Sequence, residues 1–186
     1  MTELGGIPTD VARRIRLVML DVDGVLTDGG VYVGALPDGS PLELKRFDIQ
    51  DGLGVKMLQW ASIDVIVVSG RISEATRIRA RELGITECHQ DPDGRKLHLV
   101  SGLLEERGVA WDEVAHLADD LADLPLLRRV GLAAAVSNAV EEVKEASHWI
   151  SERRGGSGAV REFSRGLLQA RGQWSELVEE YCHARS

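Results

Sequence analysis

Residues 16–28 read RLVMLDVDGVLTD, a short apolar run that stops at Asp21 and continues through Asp23, Gly24, Thr27 and Asp28. An apolar run this short, ended by Asp and Gly, marks a strand buried on both faces. Working outward, similar runs recur at 63–68 (IDVIVV), 114–117 (VAHL) and 132–136 (LAAAV), with a short fifth candidate at 148–150 (HWI). Helix-like stretches separate them. Leu53 to Trp60 places apolar side chains on one face, and Ser73 is a plausible N-cap for a helix through Leu83 that Gly84 stops. Lys96 to Arg107 is followed by Gly108, and Pro125 suits the first turn of a helix ending near Val130. Strand and helix in repeated alternation predict an α/β fold: a doubly wound, Rossmann-like parallel sheet with helices on both faces.

One stretch breaks the alternation. Val31–Val33 and Leu42–Phe47 look extended, and Pro37-Asp38-Gly39 between them is a turn signal. A β-hairpin insertion over about 30–47 follows. From about 158 to 186 the chain is expected to be helical. Leu167, Leu168, Trp174, Leu177, Val178 and Tyr181 there give it more apolar surface than a free tail needs. Packing on its own core is the plain expectation and a partner subunit the sharper one. At 186 residues the chain fits one domain over 1–186.

Acidic residues outnumber basic ones 30 to 22, a formal net charge of −8, so a nucleic-acid partner is not expected. No apolar run is long enough to span a membrane. The opening MTELGGIPTD lacks the basic and apolar regions of a signal peptide. Cys88 and Cys182 stand in no metal-type spacing, so a reduced, cytoplasmic protein is the default. The five histidines are dispersed and read as ordinary core or surface residues, and Cys88 as a small buried one.

Open α/β sheets bind ligands beyond the carboxyl ends of their strands. Here those ends carry Asp21, Asp23 and Asp28 after the first run, Ser69-Gly70-Arg71 after the second, and Asp119-Asp120 with Asp123 after the third. Any one such Asp is explained as a turn former; so many at corresponding ends are not. Gathered carboxylates repel, and Mg²⁺, which favours oxygen ligands, resolves the conflict. Asp21 and Asp119 are the natural side-chain ligands, and Asp120 either binds through water or orients one. A metal among carboxylates invites phosphoryl transfer. Asp21 would attack phosphorus, Asp23 would act as general acid and base, Ser69 would donate its hydroxyl, and Lys96 would supply a point charge.

In these residues the chain resembles the haloacid dehalogenase superfamily, over about Arg16 to Gly172. Asp21-Val22-Asp23-Gly24-Val25-Leu26-Thr27-Asp28, Ser69, Lys96, and Asp119-Asp120 with Asp123 follow its four motifs in order. The short hairpin in place of a cap domain, residues 47–54 (FDIQDGLG), Ser69-Gly70-Arg71 and residues 155–162 (GGSGAVRE) look like the 3-deoxy-D-manno-octulosonate 8-phosphate phosphatases. The resemblance implies an Mg²⁺ set of Asp21, Asp23 and Asp119, with Asp120 and Asp123 in support. It implies substrate contacts from Thr27, Asp28, Asp51, Gly52, Gly70, Arg71 and Arg161, an acidic sugar phosphate as substrate, and a homotetramer whose hairpins assemble together. The glycines at 155–158 are a candidate phosphate cradle, and Asp51 equally a helix N-cap.

Two positions depart from the pattern. Ala118 stands where Gly usually precedes the Asp pair, and Gln50 where Arg is common. The second makes N-acylneuraminate 9-phosphate, or its deaminated relative, a competing substrate. A rival of another class is a non-catalytic assembly domain associated with a sugar cytidylyltransferase. A receiver domain is disfavoured, because its adjacent acidic pair belongs to the first strand rather than a late one.

Overall fold

The structure, a computed structural model, describes residues 6–186. Six parallel strands form one sheet: β1 (Leu17–Leu20), β4 (Asp64–Ser69), β5 (Cys88–Gln90), β6 (Val114–Ala118), β7 (Leu132–Ala135) and β8 (Trp149–Ile150). β2 (Tyr32–Ala35) and β3 (Pro41–Leu44) form the separate antiparallel hairpin. The sheet order is β5-β4-β1-β6-β7-β8. The chain therefore builds outward from β1 on one side, then crosses to the other, and the reversal falls at β1. Register places Leu20 opposite both Val67 and Leu117, so Asp21 emerges one step below Ser69 and Asp119. Three chemistry-bearing strand ends meet at the switch point, where an α/β sheet leaves a crevice.

Every residue of β1, β6 and β7 is buried, as their unbroken apolar runs require of strands covered on both faces. The covering helices are α1 (Thr9–Arg14), α2 (Ile49–Trp60), α3 (Glu74–Glu82), α4 (Lys96–Arg107), α5 (Leu124–Leu127), α6 (Glu141–Glu145), α7 (Ala159–Ala170) and α8 (Trp174–His183). Ser73 caps α3 by accepting from the Thr76 amide, and α4 ends on Gly108 in the left-handed region. α1, α6 and β5 were not expected. β5 escapes pattern reading because its three residues, Cys88, His89 and Gln90, are all half-buried and form no apolar run. Cys88 is accordingly half-buried on an edge strand, not a core residue.

The tail is two helices rather than one. Gly172, at φ 77°, turns the chain between α7 and α8. α8 then folds back, burying Leu177 and setting Tyr181 against Trp60 at 5.7 Å. The apolar surface of the tail is thus spent largely on its own core. Among the described residues no helix is long and apolar enough to cross a membrane. The hairpin is the opposite case: Val31, Tyr32, Val33, Leu36 and Leu44 are all exposed.

Candidate active site

The turn after β1 is shaped by glycine and threonine. Gly24 sits at φ 93°, and a Cβ there would lie 1.9 Å from Asp119 Oδ2. Only glycine lets the turn pass beneath that carboxylate. Thr27 Oγ1 accepts from the Gly24 and Gly29 amides and donates to the Val22 carbonyl, and the residue is wholly buried. Thr27 therefore ties the turn and offers no hydroxyl to a substrate, contrary to the expectation. Behind the turn, a Cβ on Gly155 would collide with the Gly24 carbonyl and one on Gly156 with the Thr27–Asp28 backbone. Gly156 donates to the Val25 carbonyl, and Asn138 bridges the Gly24 carbonyl and the Gly155 amide. The glycine-rich segment braces the turn; it is not the phosphate cradle considered from sequence.

Asp21 is 6% exposed at the end of β1. Lys96, the first residue of α4, reaches it at 2.8 Å and grips both oxygens of Asp123 at 2.8 and 2.9 Å. His116, buried in β6, sets Nε2 2.8 Å from Asp123 Oδ1 and Nδ1 3.1 Å from the Met19 carbonyl. Asp123 thus aims Lys96, and His116 aims Asp123. Burial opposes the Lys96 charge, but the two carboxylates outweigh it and hold its pKa above the ordinary value. Burial likewise works against the Asp123 charge, while His116 and Lys96 bring its pKa below the usual range. His116 is the residue the sequence reading missed, having treated it as an ordinary core position. Its signal is a polar ring inside a wholly apolar strand, since a buried polar group needs a partner.

Asp119 completes the cluster from the end of β6. Its pKa is pushed up to about 8, first by burial and then by the neighbouring Asp21 carboxylate. Asp21 is itself raised, by burial and by Asp123 against the pull of Lys96. Asp119 Oδ1 is buried with no hydrogen-bond partner. An orphaned, crowded carboxylate oxygen beside a second carboxylate is the environment a hard divalent cation satisfies. Among the described residues, no three His, Cys, Asp or Glu side chains gather at one ion position. Asp21 and Asp119 are the two side chains that fit, with the remaining positions left to main-chain oxygen and water.

The Asp23 side chain is not in that set. Its Oδ1 accepts from Lys45 of the hairpin at 2.5 Å, and Arg71 lies 3.6 Å from Oδ2. Asp120 is exposed and caps the following turn through the Leu121 amide at 2.7 Å, and its charge is among those that raise the Asp119 pKa. Ser69, 1% exposed, exchanges hydrogen bonds with the Arg71 backbone. Gly70 lies open, with only the Lys96 side chain near.

Several expected substrate contacts have partners within the fold. Asp51, 1% exposed, accepts from the Gly158 and Arg161 amides and so caps α7, while Asp48 caps α2. Burial lifts the Asp51 pKa to about 6. Gly52 leaves room for Arg79, whose Nη2 a Cβ would meet at 2.8 Å. The Arg161 guanidinium stacks on Trp174 at 4.6 Å, turned toward α8. Asp28 accepts from the Gly30 amide and the Tyr32 hydroxyl, which lower its pKa and fasten the hairpin root.

Comparison with known proteins places this cluster. A family model described as haloacid dehalogenase-like hydrolase matches residues 90–162. The 3-deoxy-D-manno-octulosonate 8-phosphate phosphatase of Escherichia coli (strain K12) is 38% identical over 175 residues, 92% of this chain and 90% of that protein. The chain belongs to the haloacid dehalogenase-like hydrolases. It is a phosphatase of that family. Two crystal structures align with this phosphatase along nearly its whole length. The probable yrbi family phosphatase of Pseudomonas syringae pv. phaseolica 1448a is 41% identical, covering 94% of this chain and 96% of that one, with a TM-score of 0.86. The 3-deoxy-D-manno-octulosonate 8-phosphate phosphatase of Moraxella catarrhalis, solved with magnesium ion, phosphate ion and KDO, is 34% identical. It covers 93% of this phosphatase and 97% of its own chain, also at a TM-score of 0.86.

Proposed function

We propose that this phosphatase hydrolyses 3-deoxy-D-manno-octulosonate 8-phosphate with Mg²⁺, through an aspartyl-phosphate on Asp21. The observation that carries the reaction class is the Lys96 bridge, which holds a buried strand-end carboxylate next to the orphaned Asp119 oxygen. The substrate rests on the likeness to phosphatases named for that sugar, including one solved with magnesium, phosphate and KDO.

Asp21 and Asp119 would hold the Mg²⁺, which when bound supplies charge stabilisation to the phosphoryl oxygens. Asp21 attacks phosphorus as the bond to the sugar oxygen breaks, and Asp23 delivers the proton that the departing alkoxide requires. Asp23 then takes a proton from the water that attacks the aspartyl-phosphate, which releases phosphate and restores Asp21. Lys96 holds Asp21 in line throughout and places positive charge beside the developing negative charge.

The exposed apolar hairpin supports assembly of several copies into a homotetramer, as Val31, Tyr32, Val33, Leu36, Leu42 and Leu44 are left uncovered within one chain. Two free cysteines suit a reducing, cytoplasmic setting. Gln50, exposed on the first turn of α2, leaves N-acylneuraminate 9-phosphate as the competing substrate. Phosphate release from the two sugar phosphates side by side separates them. A preference of about 100-fold in kcat/KM, roughly 2.7 kcal/mol of differential transition-state binding, is expected for the octulosonate ester. The reverse preference overturns the assignment.

A further inference from the structure

Lys45 is the unusual residue of the hairpin. Its neighbour Leu44 is 58% exposed, yet the Lys45 side chain is only 2% exposed. A lysine kept for solubility would extend its ammonium into water. This one turns inward, 2.5 Å from Asp23 Oδ1 and 3.8 Å from Glu43 Oε1. Arg71, at the end of β4, pairs with the same two carboxylates: Glu43 Oε2 at 2.9 Å and Asp23 Oδ2 at 3.6 Å. Two cations and two carboxylates thus alternate around a closed square. One side of it is the hairpin and the other is the strand-end crevice.

The square fixes the Asp23 side chain at a particular oxygen. An ammonium has donors only, so Oδ1 is committed to accepting from Lys45. Oδ2 is buried and has no hydrogen-bond partner. It is therefore the oxygen left to face a leaving group. Without Lys45, Asp23 would keep only Arg71, a longer contact from a side chain that is 44% exposed, and the carboxylate could swing about its own torsions.

We propose that Lys45 is a positioning residue: from the hairpin it pins Asp23 Oδ1 and so presents Oδ2 to the departing oxygen of the substrate. Glu43 supports it by holding the same ammonium. The hairpin is then part of the catalytic apparatus as well as an apolar surface. The proposal rests on the aspartyl-phosphate reading above, with Asp23 as general acid.

The test compares kcat/KM, which covers the steps through departure of the alcohol, for three esters: the octulosonate 8-phosphate, phenyl phosphate and p-nitrophenyl phosphate. The first releases a strongly basic alkoxide that needs a proton, the second a less basic phenolate, and p-nitrophenolate departs without one. Lys45→Met should lower kcat/KM for the sugar ester by roughly tenfold or more beyond its effect on p-nitrophenyl phosphate. Phenyl phosphate should fall in between. Equal losses for all three would mean that Lys45 binds phosphate or only supports the fold, and would overturn the proposal. Glu43→Gln, which loosens Lys45 without stranding a buried charge, should shift the same ratio in the same direction, by less. This variant keeps the question answerable if Lys45→Met does not fold, and an unchanged ratio in it overturns the proposal. A wild-type enzyme that cleaves both phenyl esters but not the sugar ester overturns the substrate reading alone. The ratio between the phenyl esters then decides the role of Lys45.

Discussion

Replacing Asp119 with Asn should stabilise the metal-free protein, although it removes a carboxylate from the active site. The native pKa of Asp119 is about 8, against an ordinary value of 3.8. Between those values the unfolded chain gives up the proton while the native state keeps it. The native state then binds more protons, and stability falls as pH rises across that window. Three pH units above the ordinary value, near pH 7, the full shift would cost about 4 kcal/mol at 1.36 kcal/mol per unit. Asp119 is only partly buried, and solvent screening brings this to about 2 kcal/mol. Asn carries no such cost. The variant should melt roughly 4–8 °C above wild type in chelator at pH 7, with the gap closing toward pH 4. Added Mg²⁺ should reverse the order, because the wild type gains a ligand that only its native state binds well. Thermal unfolding followed by circular dichroism, with chelator and then with Mg²⁺, reads both effects. A variant less stable than wild type in chelator at pH 7 would refute the reasoning, since Asp119 would then be stabilising through contacts rather than strained by its neighbours.

Two further outcomes follow from the same geometry. Asp21→Asn should abolish phosphate release while the protein folds normally, because Lys96 keeps both bonds to Asp123; substantial turnover in that variant would remove Asp21 as the nucleophile. Gly24→Ala should lose about 1–2 kcal/mol from its left-handed backbone alone, and its methyl would drive Asp119 aside, so Mg²⁺-induced stabilisation should vanish together with activity. A normal Mg²⁺ response in folded Gly24→Ala would show that Asp119 is free to move.

Much of this was legible in the chain because it was written in local pattern. β1, β6 and β7 announce themselves as apolar runs, Ser73 and Gly108 as helix ends, and Pro37-Asp38-Gly39 as the hairpin turn. The Asp21, Lys96 and Asp119 cluster follows from which residues terminate adjacent parallel strands. What stayed hidden was decided by contacts between segments distant in sequence. Asp51 precedes a glycine in α2, as an N-cap or ligand might, but its carboxylate is captured by the start of α7. Arg161 has the chemistry of a carboxylate clamp, and its guanidinium stacks on Trp174 while Nη1 is left buried without a hydrogen-bond partner. His116 announces only that a buried ring inside an apolar strand needs a partner, and Lys45 carries no local signal at all. One is fixed by a residue after its strand, the other by an aspartate 22 positions earlier.

The braced turn after β1 also decides which part of the site can move. Backbone presses on backbone where Gly155 and Gly156 meet residues 24–28, and Asn138 stitches the same place from a third segment. The nucleophile is thereby mounted on the stationary half of the molecule. The hairpin is moored at its root by a single bridge between Thr27 and Phe47 and by a few polar side-chain ties. In the isolated chain, amide exchange should be slow through 17–27, where the strand is buried and braced, and faster through 32–44, where the hairpin is exposed. Evolution of a new substrate preference in such a frame can rework the exposed apolar positions of the hairpin while keeping Glu43 and Lys45, which reach the chemistry beneath it.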